Sequence, residues 1–150
     1  MVYKALTIIQ PYANLIVDGH KRIETRSHNI YYRGKILIHA GKTNPESYTN
    51  FHKLTIEELM AFKSVNMETI DKINNLPKGV IVGSADILGS KEIDLDFIEN
   101  VKDNNYNEYV FGNYKEGRYA WVLGNIKKFK EPIPARGYMG LWDFETDIEL

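Results

Sequence analysis

The chain has 150 residues, 43% hydrophobic and 26% charged, with 19 Lys and Arg against 20 Asp and Glu and no cysteine. That length supports one hydrophobic core without disulfides or a structural metal, and the missing cysteine excludes disulfides, thiolate nucleophiles and the usual zinc frameworks. The near-neutral total hides segregation: residues 1–42 carry 7 basic and 2 acidic side chains, 43–110 carry 6 and 12, 111–138 carry 6 and 2, and 139–150 carry 4 acids and no base.

In chain order, residues 5–9 read as a mostly buried strand that ends at Gln10-Pro11. Proline suits the first position of a helix, so 11–18, with apolar Ala13, Leu15, Ile16 and Val17, is expected to be a short helix closed by Gly19. Residues 21–26 are then extended, 30–34 form a turn, and 35–40 make a second buried strand. Asn44-Pro45 can start one helix, and Thr55 with Glu58 has the capping-box spacing for another. A third covers 67–74, a turn follows at 76–79, and 80–88 is a strand. Residues 89–110 read as one short helix or irregular cover, with 103–105 as a loop. The last third returns to sheet, with strands at 118–123 and 141–144 and a connection over 129–134. Strands at both ends with helices between them indicate one α+β domain over 1–150, built on a small, partly closed sheet.

The segment from Gly19 to Arg26 concentrates a lysine, a carboxylate and two arginines, more charge than folding requires, because exposed ion pairs contribute only roughly 0 to 1 kcal/mol each. Strand alternation puts Arg22, Glu24 and Arg26 on one face, where Glu24 would hold two guanidinium groups and leave donors for a phosphate or base edge. The plainer alternative is that Glu24 bridges Arg26 merely to fix the sheet. Gln10, Pro11 and Tyr12 stand at a helix start, where unpaired N–H groups favour an anion and Gln10 can face a base edge, or simply cap the helix. Arg136, Gly137 and Tyr138 combine a planar bidentate donor, a residue permitting close backbone approach and a stacking ring. Tyr12, Tyr31, Tyr32, Tyr119 and Tyr138 are interleaved with the basic segments and can stack on unpaired bases, whereas Trp121 reads as core. His20, His28 and His39 lack paired metal spacing and His52 falls in a helical segment, so neither metal nor cofactor is expected.

Four blocks resemble the ASCH domain family of the PUA-like superfamily: residues 6–13; Gly19-His20-Lys21-Arg22-Ile23-Glu24-Thr25-Arg26; residues 119–123; and 132–137 followed by Gly140-Leu141-Trp142. The second matches the family's Gly-x-Lys-x-x-Glu-x-Arg pattern at each fixed position. The resemblance implies a small β-barrel with flanking and inserted helices and a cleft beside Lys21, Glu24 and Arg26.

The leading expectation is an RNA-binding or nucleotide-binding module, its ligand held by Gln10, Pro11, Tyr12, Lys21, Glu24, Arg26, Arg136, Gly137 and Tyr138. For about five phosphate contacts, log affinity would fall by roughly 3 to 4 per decade of salt. The alternatives are a small hydrolase acting on a modified nucleoside such as acetylated cytidine, and a ribonuclease. The relatives that deacetylate use a lysine and a threonine three residues on; here Lys21 is followed by Glu24, which leaves Lys21 and Glu24 as a base-assisted pair without the covalent route. A ribonuclease would draw on His39, or on Glu24 with Lys21. No run approaches the ~20 apolar residues of a membrane span, and the first residues lack a signal-peptide pattern, so a cytoplasmic location without membrane partners is expected.

Overall fold

The computed structural model describes residues 1–43 and 53–150. The helix expected at Asn44-Pro45 and His52 lie outside the described residues. In chain order the elements are β1 (Val2–Ile8), α1 (Tyr12–Val17), β2 (Ile23–Arg26), β3 (Gly34–Ala40), α2 (Ile56–Ser64) and α3 (Ile70–Asn74). They continue with β4 (Val80–Glu92), α4 (Leu95–Asn104), α5 (Tyr106–Val110), β5 (Tyr119–Pro134) and β6 (Leu141–Glu145). The six strands form one mixed sheet in the order β2-β5-β4-β3-β1-β6, in which only β1 and β3 run parallel. The long strands β4 and β5 pair through three register shifts, and such bulges bend and twist a sheet. The result is a curled half-barrel, α+β as expected, with β2 and β6 as its edges.

Alternation along the strands builds two cores. Leu6, Ile36, Ile38, Val82 and Trp121 face α1 on one side, while Ala5, Leu37, Ile81 and Trp142 pack on the other. Helix α1 is buried almost all round, and its Leu15 seals a third cluster with Phe62, Ile73 and Phe111. Gly83 makes this docking possible: a Cβ there would sit 2.2 Å from the Lys127 carbonyl oxygen and 2.7 Å from Val17 Cγ1.

Three sequence expectations need correction. Residues 103–105 are not a loop, because α4 runs to Asn104; Asp94 caps α4 by accepting from Phe97 N at 2.8 Å, and Asn105 caps α5 by accepting from Glu108 N at 3.1 Å. Their polar side chains are the solvent face of an amphipathic helix whose other face buries Val101. Residues 129–134 are strand rather than connection, since Ile133 pairs with Ile81 and Phe129 and Ile133 pack on the outer core. Finally, β2 starts at Ile23, two residues late, because the His20 and Lys21 amides still donate to Leu15 O at the end of α1. The capping box at Thr55 is present, with Glu58 N donating to Thr55 Oγ1 at 3.1 Å.

Candidate nucleic-acid interface

The sheet curls far enough that Arg26, on edge strand β2, donates through Nη2 to Thr7 O at the end of β1 at 3.2 Å. Beside that crossing opens a cleft of about 510 Å³, walled by Thr7 to Ile9, Glu24 to Arg26, Tyr12 and the 111–113 loop with Arg118. Glu24 Oε2 accepts from Arg26 Nε at 3.4 Å and Nη2 at 3.1 Å, and the guanidinium lies 5.7 Å from the Trp121 ring centre. Opposite, Arg118 Nη2 donates to Thr25 O and Nε to Asn113 O, both at 3.2 Å, while Asn113 N donates to Thr25 Oγ1 at 2.9 Å. The register of β2 on β5, which places Arg26 against Tyr119, brings the two arginines to the same end of the sheet. Among the described residues, Nη1 of each arginine and the second oxygen of the buried Glu24 have no protein partner. Burial, then Glu24 and Glu58, push the Tyr12 hydroxyl pKa upward, so Tyr12 enters the cleft as a neutral donor.

Several predicted residues lie elsewhere. Gln10 is fully buried, its amide donating to Asn14 Oδ1 and Pro77 O, both at 2.8 Å, while its Oε1 accepts from Asn14 N at 3.0 Å. Pro11 is buried too, and the amides of Tyr12 and Ala13 both reach Ile9 O, which leaves no open first turn for an anion. Arg22 does not join Glu24 and Arg26; it precedes β2 and lines a separate groove with Asp18 and Gly19. Arg136 is exposed and stacks on Tyr138 at 5.5 Å. Gly137 lies against the cleft from behind: a Cβ would come 2.6 Å from Thr7 Oγ1 and 2.7 Å from His39 Cε1. The 136–138 segment therefore flanks the cleft across Thr7 rather than lining it. Tyr31 is exposed and Tyr32 donates to Lys35 O at 2.8 Å, while Trp121 is core as expected.

Lys21 lies beneath the cleft, only 1% exposed. Its Nζ donates to Ile23 O at 2.5 Å and Phe111 O at 2.8 Å, tying the entry of β2 to the end of α5. Burial pushes its pKa down, with Glu24 and Glu108 pulling the other way. Burial raises the pKa of Glu108, with Lys21 opposing; its Oε1 accepts from Arg22 N at 2.6 Å, and its Oε2, like the Tyr114 hydroxyl, is buried without a hydrogen-bond partner among the described residues. The His39 ring is buried, with Nε2 2.7 Å from Ala135 O and Nδ1 3.1 Å from Thr7 Oγ1. Among the described residues no three His, Cys, Asp or Glu side chains gather as a metal site, and no helix is long and apolar enough to cross a membrane. Sequence reading missed Arg118, Asn113 and Thr7. Arg118, beside the strand that pairs with the Glu24 segment, was the one whose position carried a signal.

A family model described as ASCH domain matches residues 6–133. The chain is 24% identical over 147 residues to activating signal cointegrator 1 of Homo sapiens, a match covering 95% of this chain and 22% of that protein. The same protein of Mus musculus matches to the same degree, with 24% identity over 147 residues. The chain thus spans about a fifth of the length of these relatives, 22%. Among solved structures, ASCH from Zymomonas mobilis superposes with a TM-score of 0.50 at 15% identity, over 88% of this chain and 73% of that one. A mutant of that protein gives 0.50 at 16% identity, over 88% and 75%. At such identities the likeness carries the fold alone.

Proposed function

Because the chain belongs to the ASCH domain family, generally associated with RNA, we propose that it binds a nucleotide, free or within RNA, in the cleft between β1, β2 and the 111–113 loop. One observation carries the reading: a buried carboxylate and a guanidinium, paired with each other, each keep one polar group at the cleft without a partner among the described residues. The Glu24/Arg26 pair is neutral in sum, which makes it a poor phosphate site. It offers one acceptor beside one donor, the pattern that complements the hydrogen-bonding edge of a nucleobase. Arg118, by contrast, is held among the described residues only by carbonyl oxygens and pairs with no carboxylate there, which suits a phosphate. Tyr12 lines the space between, and Phe111 borders it from the core. Hydrolysis through Lys21 and Glu24 is not favoured, since the lysine amine is buried and committed to two carbonyls. Nuclease action through His39 is not favoured either, because both ring nitrogens are engaged internally.

Titration of the isotopically labelled protein with nucleosides and nucleoside 5′-monophosphates, followed by NMR, tests this division. Arg118→Ala should weaken the monophosphates by roughly 10-fold, the value of one charge-assisted contact, and leave nucleosides little changed. Glu24→Gln should alter the ranking of bases in both series. Shifts that avoid the cleft with every nucleoside, nucleotide and short RNA would refute the reading.

A further inference from the structure

The 111–113 loop has a cleft on each side. Beyond it from Arg26 lies a second hollow of about 650 Å³, bounded by α2, α4 and α5, and Gly112 and Asn113 border both. Each volume is on the scale of a small-molecule site. The rim that separates them is low for a steric reason. A Cβ on Gly112 would stand 2.6 Å from Tyr114 Cε2, so no side chain can rise there without displacing the buried ring below.

The second hollow differs in chemistry from the first. Tyr106, Tyr109 and Tyr114 line it in sequence, with ring centres 6.0 and 5.6 Å apart. Tyr114 is buried, whereas Tyr106 is 40% exposed, and its hydroxyl donates to Glu57 Oε2 at 3.1 Å, which holds the ring in place before any ligand arrives. Glu58 is engaged in the Thr55 capping box. Lys102, 4.6 Å over the Tyr109 ring, and Lys115 both line the hollow, and neither ammonium pairs with a carboxylate among the described residues. A pre-set aromatic face with free cations beside it suits a stacked base and the phosphate attached to it, the arrangement by which proteins hold single strands.

We infer that the ligand is a single strand of RNA rather than a free nucleotide, with one nucleotide in the Arg26/Arg118 cleft and its neighbour crossing the Gly112 rim to stack on Tyr106. The inference rests on the nucleotide reading of the first cleft, and adds that affinity is built from two adjacent subsites. Lys102 and Lys115 then take the second phosphate.

The test is fluorescence anisotropy competition with oligouridylates and oligoadenylates of one to six nucleotides on the full chain. Affinity should climb from the mononucleotide to the dinucleotide and then level off. Tyr106→Ala should cut that gain by about 5- to 100-fold, the loss of one base stack, whereas Tyr106→Phe, which keeps the ring, should retain most of it. Thermal melts of both variants guard against a folding defect. Mononucleotides binding as tightly as hexamers, or Tyr106→Ala giving the wild-type length dependence, would overturn the two-subsite inference and leave the nucleotide reading standing. Length dependence that is sensitive to Tyr106 but indifferent to Arg118→Ala and Glu24→Gln would sustain the second subsite and refute the first. No binding at any length refutes both.

Discussion

Both ring nitrogens of His39 are held by internal partners. Ala135 O can only accept, so Nε2 carries the hydrogen; Thr7 must then donate to Nδ1, and its oxygen remains free to accept from Trp142 Nε1 at 3.0 Å. A second proton on Nδ1 would reverse that bond, making the ring the donor, and would turn the Thr7 hydroxyl hydrogen away from it. Burial holds the pKa of His39 below the ordinary histidine value, with the Ala135 carbonyl opposing and Lys42 adding to the effect. Because the folded value is depressed, the stabilisation is present above about pH 6.5 and is lost as pH falls toward and through the folded pKa. Each pH unit below 6.5 then costs up to about 1.4 kcal/mol for as long as the folded ring stays neutral. Wild-type stability, measured by urea denaturation from pH 7.5 to 5.5, should fall more steeply than that of His39→Gln. Parallel curves would show that no proton is linked here. From sequence, His39 was an option for acid-base chemistry, and nothing in a strand pattern reveals which carbonyl will close over a ring from 96 residues away.

Lys21 acts at the scale of elements. A lysine beside Glu24 and Arg26 invites a functional reading, yet its amine holds two strand and helix ends together from inside the protein. Lys21→Ala would leave the Ile23 and Phe111 carbonyls without this donor, open a cavity and remove a cation that favours the charged form of Glu108. A loss of about 2 to 4 kcal/mol is expected in denaturant unfolding. A loss well under ~1 kcal/mol would mean that water replaces the amine and that Lys21 is free for another role. The elements themselves were legible where local chemistry is strong: β1, α1, β3, the Thr55 cap and the start of β4 follow from apolar runs, Pro11, Gly19 and a capping box. Those misread, 103–105 and 129–134, are segments whose state is set by partners. Polar residues there lie on a helix's wet face, and prolines end a strand held by its neighbour.

For the whole molecule, the two basic segments do meet, since β2 pairs with β5 and Arg26 and Arg118 line one cleft. They do not build the single positive face that their charge count suggests. Lys21 is interior, Lys4 pairs with Asp143 at 2.6 Å, Lys128 pairs with Asp18 at 2.6 Å, and Arg33 donates to the Ile30 and Tyr32 carbonyls, both at 2.9 Å. Among the described residues, the cations left at the two clefts without a carboxylate partner are Arg118, Lys102 and Lys115. The two phosphates that these cations would hold on a single strand give a slope of roughly 1.4 in log affinity per decade of salt, shallower than five contacts would produce. A slope above ~3 for a short RNA would place binding elsewhere, on the exposed Arg136 and Tyr138 for instance.

By itself the sequence determined the α+β class, the family and where most strands lie along the chain, because apolar period, turn residues and a spaced motif are properties of neighbours along the chain. Only the tertiary structure decided which charges face the cleft. Gln10 and Lys21 were drawn into the interior, Arg22 was turned to another groove, and Arg118 and Tyr106 arrived from segments far away in the chain. Whether a polar side chain is spent on the protein's own carbonyls or left for a ligand depends on contacts across the sheet, and those are settled when β2, β5 and the helices between them close on one another.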